Sequence, residues 1–220
     1  MKKFFLFAAA VAAAMTINAA EWDFSDFELS DGITKGSIEV EGLGFYAIDA
    51  SQDATKEFAS DKAFGKITEK QKTFEDNYKG LHNCKTNGGG SAEEATPWLP
   101  KQRYFYFDVT GNSTIKVWYE SGSSKAVKLF ISDGTKLLLE NEVSVEDKDK
   151  ALIAEASYVG GAGKIYIYGN GAIEVFKIEV SAAQGIEDVN DAVKAVKFFE
   201  NGQLVIMKNG VKYNALGAQL

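Results

Sequence analysis

The sequence predicts an all-β protein, an antiparallel β-sandwich followed by a small β-hairpin unit. Three observations predict it. Short runs at residues 104–109, 115–119, 127–131, 164–168 and 173–180 are rich in β-branched and aromatic side chains. Turn chemistry bounds them: Thr110-Gly111-Asn112, Ser121-Gly122-Ser123, Asp133-Gly134, Gly160-Gly161 and Gly169-Asn170-Gly171. Within three of them, 104–109, 115–119 and 164–168, apolar residues alternate with Tyr, Trp or Lys at period two.

The chain opens as an export leader. Lys2 and Lys3 precede an apolar run from Phe4 to Met15 that is too short to span a bilayer. Ile17-Asn18-Ala19 then offers a cleavage site, which makes residues 1–19 a signal peptide cut before Ala20 or Glu21. No later stretch approaches membrane-spanning length. Residues 20–181 are assigned to the sandwich, 182–192 to a linker and 193–220 to the terminal β unit.

Residues 21–27 alternate polar and aromatic and read as an edge strand, which pairs with the strand around Phe176 if the first and last strands of the sandwich meet. Residues 36–46 continue at period two. Residues 49–101 are polar and charged with scattered phenylalanines, too long for a bare loop, and short strands are expected near 66–68 and 80–84. Asn87-Gly88-Gly89-Gly90-Ser91 reads as a turn that needs glycine's backbone freedom. It lacks the following helix and the Lys-Ser/Thr pair of a phosphate loop. In the tail, strands at 195–199, 204–208 and 211–213 are separated by Asn201-Gly202 and Asn209-Gly210, strong hairpin signals.

Composition excludes several functions. Removing Lys2 and Lys3 leaves 22 Lys and Arg against 31 Asp and Glu, a net charge of −9. Such an acidic surface disfavours nucleic acid and anionic polysaccharide held by charge alone. The one cysteine, Cys84, forbids an internal disulfide, so the fold must stand on its hydrophobic core. His82 is the one histidine, which leaves a serine triad or a histidine metal site little to work with. Glu93-Glu94 and Glu146-Asp147-Lys148-Asp149 are adjacent carboxylates, not a pair facing each other across a sugar. Asp23, Asp26, Asp31 and Asp147 are the carboxylates from which loops would build a structural calcium site. No cofactor and no catalytic residue is expected.

Alternation sorts the strand faces. Phe105, Phe107, Val109, Ile115, Val117, Ile165 and Ile167 form the expected core side. Tyr104, Tyr106, Trp118, Tyr166 and Tyr168 lie on the opposite side, and Trp98 stands on the stiff loop Thr96-Pro97-Trp98-Leu99-Pro100. These six rings are the candidate ligand-binding residues, because sugar C–H faces stack on aromatic rings. The alternative for each is that it covers the sheet beneath residues 49–101 or pairs across strands.

Two stretches resemble known families. Residues 199–217, Phe-Glu-Asn-Gly-Gln-Leu-Val-Ile-Met-Lys-Asn-Gly-Val-Lys-Tyr-Asn-Ala-Leu-Gly, resemble the C-terminal sorting domain of the type IX (Por) secretion system of Bacteroidota. That resemblance implies contact with the secretion machinery and a location outside the cell or on the outer-membrane surface. Residues 78–90, with Arg103-Tyr104-Phe105-Tyr106-Phe107-Asp108-Val109-Thr110-Gly111 and Ile115-Lys116-Val117, resemble a β-sandwich module attached to secreted Bacteroidota pectate lyases. That module is similar to non-catalytic carbohydrate-binding domains of jelly-roll or galactose-binding-like form. It implies a polysaccharide or glycan partner and no catalysis. A structural or adhesive protein that contacts other proteins is the second expectation. A polysaccharide lyase is the third, although the repeated turns of a parallel β-helix are absent from the sequence.

Overall fold

The computed structural model describes residues 19–48, 57–90, 92–182, 196–200, 203–208 and 211–214. The chain divides into two compact units, Met1–Ala183 and Gln184–Leu220. Residues 1–18, expected to be signal peptide, and residues 183–192, expected to be linker, lie outside the described residues.

The first unit is a sandwich of two antiparallel sheets. One has the order β12 (Leu152–Tyr158), β9 (Ser113–Ser121), β14 (Ile173–Ala182), β5 (Lys79–Lys85), β4 (Lys66–Thr73), and β1 (Ala19–Asp23) also pairs with β14. The other has the order β11 (Leu137–Val143), β10 (Val127–Ser132), β13 (Gly163–Gly169), β8 (Gln102–Val109), β3 (Leu43–Ile48), β2 (Gly36–Val40). From β8 onward the chain passes repeatedly between the two sheets, as in a jelly roll. A short hairpin, β6 (Ala92–Glu93) and β7 (Thr96–Pro100), stands apart from both.

The sequence explains this arrangement. The central alternate positions of β8, β9, β10 and β13 carry large apolar side chains. Each strand can therefore bury one face, and two such sheets seal each other. Phe105, Phe107, Ile115, Val117, Leu129, Ile131, Ile165 and Ile167 are all at most 1% exposed. Each contributes roughly 1.5–3 kcal/mol by leaving water. Trp22 tilts against Phe107 at 5.2 Å and donates its indole N–H to the Glu41 carbonyl at 3.0 Å. The predicted pairing of the first strand with the Phe176 strand is present, with Trp22 opposite Ile178.

Several local readings are corrected. The strand expected over 21–27 ends at Asp23. Its carboxylate accepts from the Ser25 N–H at 2.8 Å and turns the chain into a 3₁₀ turn, Phe24–Asp26. The run 36–46 is a hairpin, not one strand, because Glu41 (φ 51°) and Gly42 (φ 82°) form a two-residue turn. The strands expected near 66–68 and 80–84 are present as longer β4 and β5. Residues 137–158, unassigned from the sequence, supply β11 and β12.

The outer face of the first sheet is covered. A register shift between Val175 and Lys177 turns Phe176 outward, away from the core side taken by Val175 and Ile178. There it packs with Phe74 and Trp118 into a second apolar cluster, joined by Tyr78 and Ile153. Beside this cluster lies a buried ion network. Glu120 is 1% exposed and meets Lys70 and, at 2.5 Å, Lys72. Lys70 also reaches Glu174 at 2.7 Å, Lys85 lies 3.6 Å from it, and Asn83 donates its amide N–H to it.

Burial raises the Glu174 carboxyl, but the hydrogen bond and charge of Lys70 outweigh it and hold the group below the ordinary glutamate range. A folded-state value below the unfolded one adds stability at neutral pH, which is lost as pH falls through the folded value. Melting temperature is therefore expected to drop as pH falls below about 4. Glu174→Gln should flatten that drop in a thermal-melt series from pH 7 to pH 3; an unchanged slope would assign the acid sensitivity to other carboxylates.

The second unit contains β15 (Val196–Glu200), β16 (Gln203–Lys208) and β17 (Val211–Asn214), an antiparallel three-stranded sheet in chain order. The two Asn-Gly dipeptides fall between these strands.

Candidate functional site

The outer face of the β11–β10–β13–β8–β3–β2 sheet carries a group of tyrosines. Register places Tyr106 of β8 opposite Gly44 of β3 and Tyr166 of β13, and Tyr104 opposite Tyr46. Alternation turns all four tyrosines outward, because Phe45, Phe105, Ile165 and Ile167 take the inward positions. Each of the four is half-buried. Tyr46 and Tyr104 stack at 4.6 Å and 14°, so their rings stand up from the sheet side by side. Tyr166 meets Tyr104 edge-on at 5.6 Å, and Tyr106 lies 6.0 Å from Tyr104.

Glycine shapes this surface at one point. A Cβ on Gly44 would sit 2.1 Å from the Tyr106 ring, so the ring lies flat across bare backbone. The Lys164 ammonium then sits 4.7 Å from the same ring and pairs with Asp108 at 2.7 Å. Burial raises the Tyr166 phenol above its ordinary value, which keeps it neutral and able to donate a hydrogen bond across the physiological range.

The β6–β7 hairpin borders one end of the face. Gly90 donates its N–H to the Gly169 carbonyl at 2.7 Å, and Ser132 donates its hydroxyl to the Trp98 carbonyl at 2.6 Å. Trp98 itself is half-buried, and neighbouring Leu99 is exposed.

The six sequence-predicted rings therefore part ways. Tyr104, Tyr106 and Tyr166 share one half-open face, with Trp98 on the hairpin at its border. Tyr168 is on the same sheet but 3% exposed, packed on Phe130 at 5.2 Å and closed over by Gly90. Burial pushes its phenol up to about 12. Trp118 is 2% exposed and belongs to the other sheet. Its indole N–H donates to Asp76 at 2.9 Å, and the Lys177 ammonium lies 4.1 Å from its ring. The chain from β4 to β5, with Phe74 and Tyr78, seals it. Neither Tyr168 nor Trp118 can touch a ligand. Tyr46 was missed, although its alternation with Phe45 and Ala47 could have revealed it once the 36–46 run was split.

The other candidate groups are structural. His82 Nδ1 lies 3.2 Å from both the Phe24 and Phe27 carbonyls and holds the 3₁₀ turn to β5. Cys84 is fully buried in the core, and burial raises its thiol well above the ordinary value. Asn87 (φ 52°) and Gly88 (φ 151°) form the expected turn, pinned by the Asn87 amide N–H to the Ala63 carbonyl at 2.6 Å. Of the carboxylates named for calcium, Asp23 accepts from Tyr78 at 2.7 Å and Asp147 pairs with Lys150 at 2.6 Å, while Asp26 and Asp31 stand exposed. Among the described residues no group of three or more His, Cys, Asp or Glu is placed to hold a metal.

A crevice of about 300 Å³ opens at the sandwich edge between β2 and residues 26–33. Phe27, Ile33, Val40, Phe45, Phe64 and Ile67 form its apolar walls, and Ile38 at its side is 45% exposed. Among the described residues no helix is long and apolar enough to cross a membrane.

No protein-family model matches the chain, and no curated protein does. Solved structures with a similar strand arrangement include the xylan-binding CBM22-1 domain of Paenibacillus barcinonensis, at 10% identity over 74% of this chain and 92% of that one, with a TM-score of 0.34. A family 35 carbohydrate-binding module from Clostridium thermocellum follows at 16% identity, over 53% and 91%, TM-score 0.31. An isomaltodextranase from Arthrobacter globiformis is similar at 11% identity over 74% of this chain, TM-score 0.33, and this chain spans 23% of its length. At such scores the likeness carries no functional argument.

Proposed function

We propose that the protein is an exported, non-catalytic carbohydrate-binding module that holds polysaccharide on the tyrosine face. The observation that carries this reading is the grouping of Tyr46, Tyr104, Tyr106 and Tyr166, all half-exposed, on one sheet face. Sugar rings present flat C–H faces to aromatic rings, and phenol hydroxyls bond sugar hydroxyls; few apolar platforms with placed polar groups suffice for such sites. Trp98 on the bordering hairpin is assigned as a flanking contact. The export half of the reading rests on the leader over 1–19 and on the sorting-like tail over 193–220. The location is the outer-membrane surface or the medium, and the tail's partner is the secretion machinery.

The test is affinity electrophoresis of the full chain in gels that contain soluble plant and host glycans. Wild type should be retarded by at least one of them. Tyr104→Ala with Tyr166→Ala should abolish the shift, since central aromatic anchors of a binding site cost about 2 kcal/mol or more when truncated. Equal retardation of wild type and variant, or none of either in every gel, would end the proposal.

A second reading, an adhesive protein that contacts other proteins, is favoured by the apolar crevice beside Ile38 and by the exposure of Leu29 at 56%.

A further inference from the structure

The charges around the tyrosine face are not neutral in their arrangement. On the strands of that sheet the outward positions carry Glu39, Asp108, Glu140 and Glu142 against Lys128 and Lys164. Both lysines are engaged. Lys164 pairs with Asp108 at 2.7 Å while resting over the Tyr106 ring. Lys128 pairs with Glu140 at 2.5 Å and lies 3.6 Å from Glu142. Arg103, next in sequence to Tyr104, is drawn away: its guanidinium lies 3.5 Å from the Phe58 ring and donates to the Lys62 carbonyl.

We propose that the tyrosine face takes uncharged polysaccharide and turns away polyuronates and sulfated glycans, with Asp108 and Glu140 as the specificity-determining residues. This rests on the glycan-binding reading above and narrows its ligand class. A polyanion laid across the rings would meet Asp108 beside the Tyr106 platform, on a sheet face whose outward carboxylates outnumber its lysines, and unscreened repulsion reaches about 8 Å at physiological salt. It would find Lys164 on the platform and Lys128 at the far side of the sheet both already paired. An uncharged chain meets no such field and needs only ring faces and hydroxyls, which the tyrosines supply. Asp108 matters most because its partner Lys164 stands on the platform itself. Without Asp108 that ammonium would be a free cation beside the bound sugar, the usual means of holding a carboxylate. Glu140 acts in the same way on Lys128 at the β10–β11 side. Like-charge juxtaposition of this kind sets partner choice more than it sets affinity.

The experiment compares the full-length wild type with an Asp108→Asn/Glu140→Gln variant in affinity gels at low salt. The probes are polygalacturonate, arabinoxylan, mixed-linkage β-glucan and galactomannan, with mobility in each gel referred to a polymer-free gel. Wild type should be retarded by at least one neutral polymer and not by polygalacturonate. The variant should gain a several-fold retardation by polygalacturonate that high salt removes. A folded variant is certified by that gain itself, and otherwise by an unchanged melting curve. Retardation of wild type by polygalacturonate as strong as by any neutral polymer would overturn the specificity assignment and leave glycan binding standing. So would a folded variant that polygalacturonate still fails to retard. Wild type that no polymer retards would remove the glycan-binding reading, and this assignment with it.

Discussion

Trp118→Ala should lower stability by about 3–5 kcal/mol, the usual cost of emptying a buried tryptophan site. At roughly 2–4 °C per kcal/mol for a chain of this size, the melting temperature should fall by on the order of 10 °C. The ring packs in the outer apolar cluster with Phe74 and Phe176, against Tyr78 and Ile153. The variant also loses the indole N–H to Asp76 and the ring under Lys177. Trp118→Phe keeps a ring and should lose less. Scanning calorimetry measures both. Glycan retardation by the folded fraction should match wild type, because Trp118 is on the sheet opposite the tyrosines. Lost binding in a still-folded Trp118→Ala protein would relocate the binding face.

The second large effect lies in the ion network. Replacing Lys70 and Lys72 together by Met should destabilise the sandwich by about 3–5 kcal/mol, because it strands the Glu120 carboxylate away from water without a counter-charge. Adding Glu120→Met to that pair should recover most of the loss, since a buried ion pair exchanged for well-packed apolar groups is often neutral or better. Urea unfolding of the double and triple variants decides this. A triple variant as unstable as the double would mean that the lysines act through packing or through Glu174, not through Glu120.

Much of the sandwich was legible because β8, β9, β10, β13 and β14 carry their own period. Phe105 and Phe107 alternate with Tyr104 and Tyr106, a period of two that a helix does not show. The strands that escaped lack this signal. In β11, Leu137-Leu138-Leu139-Glu140 is composed of good helix formers; its inward Leu139 is set by pairing with Ile131. In β12, the core-facing residues are Ala154 and Ala156, too small to announce a face. The candidate site shows a different limit. Alternation says which side of a strand a residue takes, but not which sheet the strand joins. Trp118 and Tyr106 are both outward, on opposite surfaces of the molecule. Tyr168 was hidden for a tertiary reason, the return of Gly90 over its ring, which no local pattern records. The pairing of Lys164 with Asp108 follows from the β8–β13 register and was likewise invisible in the linear sequence.

The position of β14 has a consequence for the order of events during biosynthesis. It is hydrogen-bonded to β9, β5 and β1, so three neighbours wait for it, and it is the last strand of the sandwich to be made. A chain emerging N-terminus first can form local hairpins such as β2–β3, but among the described residues β1 finds its strand partner some 150 residues later. Closing so long a loop is slow. The sheet that β14 joins can therefore close only after Ala182 has been synthesised.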